Sequence, residues 1–120
     1  MHADPAALPR PSCHRRRRDT SDRLREALQQ LAGGKVRIAS HQERFWASIT
    51  FAGARHRLEL LFDGPDGVEA GELFIAELPE HEFDIPGQLV AEAVVTEADH
   101  SLLPQPRLAV SVELLLLEEA

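Results

Sequence analysis

Residues 45–62 read FWASITFAGARHRLELLF, and this stretch decides the fold class. Apolar and polar residues alternate with period two on either side of Gly53-Ala54, the signature of a half-buried β-hairpin. Placing a two-residue loop at Gly53-Ala54 pairs Ala52 with Arg55. Phe51 then faces His56, Ile49 faces Leu58, Ala47 faces Leu60 and Phe45 faces Phe62. Trp46 and Leu61 pair on the opposite face. A slip of one residue would mix the two faces, which is costly once one of them is buried. A glycine at the first loop position suits a type II′ turn.

Working outward, residues 20–32 predict one amphipathic helix. Leu24, Ala27, Leu28 and Leu31 share a face, Thr20 or Ser21 caps the first turn, and Gly33-Gly34 stops it. Further strands are expected at residues 35–40, 72–78, 89–97 and 107–117, with a Gly-rich loop over 63–71 and another over 79–88. In the last strand Leu108, Val110, Val112, Leu114 and Leu116 form the inward set. Short connections favour antiparallel neighbours. The expected class is α+β: an N-terminal helix packed on a curved antiparallel sheet, or small open barrel, of about six strands.

The chain has 120 residues and a net charge of -7, unevenly spread. Residues 1–37 carry +5 and residues 38–120 carry -12. Residues 1–18, with three prolines and a basic cluster from His14 to Arg18, read as a disordered arm. Residues 19–120 read as a single domain. The longest aliphatic run, Leu114 to Leu117, is far short of the roughly 20 apolar residues of a membrane-spanning helix. A single cysteine, Cys13, excludes an internal disulfide and a multi-cysteine metal site, and a cytoplasmic location is expected. Twelve of the thirteen basic residues are arginine, which with abundant Ala and Leu suggests a GC-rich bacterial coding genome.

No catalytic motif is legible: there is no nucleophile elbow, no phosphate-cradling loop and no metal-ligand spacing. No metal and no cofactor are expected. The weak catalytic candidates are His56, on the inward face, and His81, within the acidic run Glu80-His81-Glu82-Phe83-Asp84. His41, beside Glu43 and Arg44, reads as a half-buried histidine with a backbone partner. The surface features point instead to binding. Trp46, Leu61, Leu115 and Leu117 are apolar residues on the non-core face, and Glu80, Glu82 and Asp84 form part of an acidic rim. The apolar last strand reads as a sheet edge open to strand pairing.

The expected function is therefore a non-catalytic interaction or adaptor domain, binding a protein partner or itself as a homodimer. One alternative is a small-ligand-binding or hydrolytic enzyme with a pocket inside the curved sheet. Another is a nucleic-acid accessory protein using Arg15, Arg16, Arg17 and Arg18 on phosphates.

Overall fold

The computed structural model describes residues 10–119, with side chains from Thr20 onward. Helix α1 is Arg10–Leu31, strand β1 Arg37–Ala47, strand β2 Ala52–Asp63 and helix α2 Gly64–Glu77. A 3-10 turn, Leu78–Glu80, follows α2, and strands β3, Gln88–Ser101, and β4, Arg107–Glu118, complete the order. The four strands form one open antiparallel sheet in the order β1-β2-β4-β3. Two hairpins, β1-β2 and β3-β4, meet along β2 and β4.

The α+β class and the antiparallel sheet agree with the sequence reading; the number of strands does not. Residues 35–40 and 45–52 were expected as separate strands, but β1 is continuous from Arg37 to Ala47. Residues 63–71 were expected as a loop and 72–78 as a strand, but Gly64–Glu77 is helical. Pro65 sits in its first turn, where a missing N–H costs nothing, and Asp66 lies where the helix dipole favours an anion. Val68, Phe74 and Leu78 are buried from this segment.

The hairpin loop also moves. Residues 48–51 form it, Ser48 N–H donating to the Phe51 carbonyl at 2.6 Å, and Ala47 pairs with Ala52. His56 therefore faces Glu43 rather than Phe51, and Leu58 faces His41 rather than Ile49. Trp46 pairs with Gly53 and Leu61 with Arg37. The partners of His56 and Leu58 lie eight residues further back along the chain than expected, an even number, so the inward face of β2 survives the change; that of Leu61, past a register break, lies nine back. A register break between Ile38 and Ser40 brings Ile38 back opposite Leu60.

The core occupies one face of the sheet. β2 contributes Leu58, Leu60 and Phe62, and β4 contributes all five residues of its expected inward set. Leu24, Leu28 and Ala32 from α1 belong to the same apolar cluster. Because β4 lies between β2 and β3, it is an interior strand and not the expected edge. The edges are β1 and β3. The outer face is mostly polar: Arg57 donates twice to Glu113, at 3.1 and 2.9 Å, and Arg107 donates to Asp63 at 2.6 Å.

Candidate functional site

Part-buried polar groups gather where the middle of α1 meets the β1-β2 hairpin. Alternation on β1 sends His41, Glu43 and Phe45 to the face that carries His56 on β2. Among the described residues, His56 is the one buried polar side chain of the core, at 0% exposure. Its Nδ1 lies 2.8 Å from His41 Nε2, and His41 Nδ1 lies 2.8 Å from an Arg25 guanidinium nitrogen. Arg25 is held by Asp22 one turn earlier, at 2.5 Å.

These contacts fix both tautomers. A guanidinium only donates, so His41 Nδ1 accepts and His41 Nε2 carries the proton. His41 Nε2–H then donates to His56 Nδ1, which leaves the His56 proton on Nε2. That N–H is buried, has no hydrogen-bond partner among the described residues, and stands 3.7 Å from Glu43 Oε2. The other Glu43 oxygen accepts the Ser21 hydroxyl at 3.3 Å. The result is a one-way relay, Arg25 to His41 to His56, directed at the Glu43 carboxylate.

Both rings are held neutral. Burial pushes the His41 pKa down from 6.5 to about 4, helped by the Arg25 charge. Burial does the same to His56, also to about 4, with His41 and then Arg25 adding to it. Every ring nitrogen either accepts a hydrogen bond or carries a proton. Neither ring therefore offers a lone pair to a reacting group, as a general base must. The expected NMR signature is a pair of rings protonated at Nε2 and not at Nδ1. A long-range 15N–1H correlation showing Nδ1–H on either ring would remove the relay.

Beside the relay is a cavity of about 470 Å³. Thr20, Glu43, Phe45, Trp46, His56 and Glu118 line it over a floor of small residues between Ala47 and Ala54. Among the described residues, no basic side chain lines this cavity and no group of three His, Cys, Asp or Glu side chains is placed to hold a metal ion.

The other residues singled out in the sequence lie elsewhere. His81 is exposed and packs edge-on against Phe83, with ring centroids 4.6 Å apart. Glu80, Glu82 and Asp84 are all exposed, in and after the 3-10 turn. Trp46, Leu115 and Leu117 gather at one end of the outer face, Trp46 and Leu117 flanking Gly53 in a single cross-strand row. Leu61 sits apart, between Arg37 and Ala109. Leu89, which pairs with Leu117 and is exposed, extends the apolar row onto β3 and was not anticipated. The backbone of Arg15, Arg16, Arg17 and Arg18 falls within α1, but their side chains lie outside the described residues, as does the whole of residues 1–9.

No family model and no curated protein matches the sequence. One solved structure resembles the fold. It is a chain from the virion of a native gene transfer agent particle, with a TM-score of 0.53 and 15% identity, over 83% of this chain and 92% of that one. At that identity the likeness is one of fold. No helix among the described residues is long and apolar enough to cross a membrane.

Proposed function

We propose that the chain is a non-catalytic subunit of a protein assembly, working in the cytoplasm of a bacterium and binding a protein partner or a second copy of itself. The observation that carries this reading is the open sheet, whose two edge strands are 11 and 14 residues long. An edge of that length presents unpaired backbone donors and acceptors ready for another strand. Large apolar residues stand exposed just beyond each edge strand: Ile49 and Phe51 after β1, and Leu102 and Leu103 after β3. Trp46, Leu115, Leu117 and Leu89 add an apolar row beside the edges, and Glu80, Glu82 and Asp84 an acidic rim near the start of β3. The fold likeness to a virion chain supports an assembly role. The occupied lone pairs of His41 and His56 weigh against hydrolysis at this site.

A photo-crosslinking amino acid placed at Ile49 or Glu97 in growing cells tests the reading. The expected outcome is one discrete adduct, with a defined protein or with a second copy, from at least one position. Diffuse labelling from both positions overturns it. Replacing Ile49 and Phe51 together by Asp is expected to weaken that adduct at least tenfold. Stability should stay within about 0.5 kcal/mol of wild type, because Ile49 is fully exposed and Phe51 more than half so. Thermal melts and adduct yield measured on the same variant check both parts.

A further inference from the structure

The two edges of the sheet carry opposite charge on its outer face. On β1 that face presents Arg37, Ser40, Gln42, Arg44 and Trp46, two cations and no acid. On β3 it presents Leu89, Glu92, Val94, Glu97, Asp99 and Ser101, three acids and no cation. Among the described residues Arg44, Glu97 and Asp99 make no ion pair, and Arg44 stands opposite Arg55 across β1-β2, an unfavourable like-charge neighbour.

The cross-strand rows join the two edges. Across β1-β2-β4-β3, one row runs Arg37, Leu61, Ala109, Asp99, and another Arg44, Arg55, Leu115, Glu92. A third runs Trp46, Gly53, Leu117, Leu89. Each of these rows starts with a residue whose complement ends it: a cation and an acid twice, then two large apolar side chains. The rows between the first two start at Ser40 and Gln42 and end at Glu97 and Val94.

We propose that the β3 edge of this chain pairs with the β1 edge of a second copy, row to row, so that the sheet continues from one copy into the next. The proposal rests on the assembly reading and names its partner. Strand direction permits it. Three antiparallel steps separate β1 from β3, so the two edges run in opposite senses. A copy moved sideways without being turned over therefore offers an antiparallel strand and keeps both cores on one side. Charge selects it over the alternatives. Two β3 edges would set acid against acid, and two β1 edges would bring arginines together with no acid on that face. Register selects the row-to-row fit. Arg37 then meets Asp99, Arg44 meets Glu92, and Trp46 meets Leu89. A shift of one pleat repeat in one direction sets Arg44 on Val94 and Trp46 on Glu92, and in the other sets Arg44 on Leu89. The interface joins two different surfaces, head to tail, and so repeats from copy to copy.

The first test is cross-linking of the full chain in a Cys13→Ser background. Gln42→Cys and Val94→Cys lie at opposite ends of one row, about 14 Å apart within a chain, so a disulfide between them joins two copies. Mild oxidation of the chain carrying both is expected to give a ladder of cross-linked species. Chains carrying one each should give a dimer only when mixed. Absence of the ladder overturns the proposal, and so does a dimer from either chain alone at the yield of the mixture. The second test is charge reversal at exposed side chains. Arg37→Glu/Arg44→Glu, or Glu92→Arg/Asp99→Arg, should weaken self-association in sedimentation about tenfold or more. Mixing the two variants should restore it, because each then offers the other a complementary edge. Association that survives either reversal, or a mixture that stays monomeric, overturns the proposal. A photo-adduct at Glu97 with a different protein, without the cysteine ladder, overturns this inference alone and leaves the assembly reading standing.

Discussion

Gly53→Ala is expected to lower the melting temperature by about 10 °C, through a loss of about 3 kcal/mol or more. Gly53 lies within β2, between Trp46 of β1 and Leu117 of β4. A Cβ added there would stand 2.2 Å from the Leu116 carbonyl oxygen, and 3.2 Å from the Leu116 carbonyl carbon and Leu117 Cα. All three are backbone atoms of the central strand. No rotamer change relieves the overlap, so the β2-β4 ladder itself must shift. Gly71→Ala provides the contrast. Its Cβ would meet Leu108 Cδ2 and Phe62 Cγ, both at 2.8 Å, which are side-chain atoms able to give in part. Its loss should be the smaller of the two. Calorimetry on both variants checks the order. A Gly53→Ala protein within about 0.5 kcal/mol of wild type would mean that the pairing of Gly53 with Leu117 is wrong.

Gly53 also shows how far the sequence could be read. A glycine followed by a small residue, between two alternating runs, looks like a hairpin loop, and local chemistry supports that reading. Here the glycine serves a close approach between two strands, which depends on β4 and leaves no local trace. The true loop, residues 48–51, holds Ile49 and Phe51, whose apolar side chains argue for strand and not for turn. Alternation was more robust than pairing. It placed His56 inward and fixed the buried face of β4, because a change of register by an even number preserves faces. Helix α2 stayed hidden for the same reason as the turn. Gly64, Gly67 and Gly71 are poor helix formers and read as loop, yet Gly67 and Gly71 lie against Phe62 in the folded chain. Pro65 and Asp66 in the first turn, with Val68, Phe74 and Leu78 on one side, were the signals available for a helix. The relay was half legible. His56 stood out, whereas Arg25, His41 and Glu43 are polar residues that only the observed register brings to it.

The relay makes stability fall as the solution is acidified. In the unfolded chain both histidines take up protons around their ordinary value of 6.5. In the folded chain they stay neutral to about 4. Between those values the unfolded state binds more protons, so stability decreases with falling pH. The contribution is complete above 6.5, is lost progressively down to about 4, and changes no further below it. Each proton corresponds to about 1.4 kcal/mol per pH unit over this window. His41 is half-buried and solvent screens part of its share, so the pair's expected loss is smaller than that of two fully buried rings. Burial is the main cause, and the surrounding charges act in both directions. Arg25, paired with Asp22, opposes a proton on either ring, while Glu43, 3.7 Å from His56 Nε2, favours one there. A proton added to His41 Nδ1 would also turn an acceptor into a donor facing Arg25 and break that contact. Carboxylates titrate in the lower part of the same window, so the decisive comparison is of slopes. In the variant His41→Gln/His56→Gln, whose amides do not titrate, the melting temperature should fall clearly less between pH 6.5 and 4.5 than in wild type, even if it starts lower. Equal slopes would show that the two rings take up protons in the folded chain as readily as in the unfolded one, and the relay would then have no hold on their protonation.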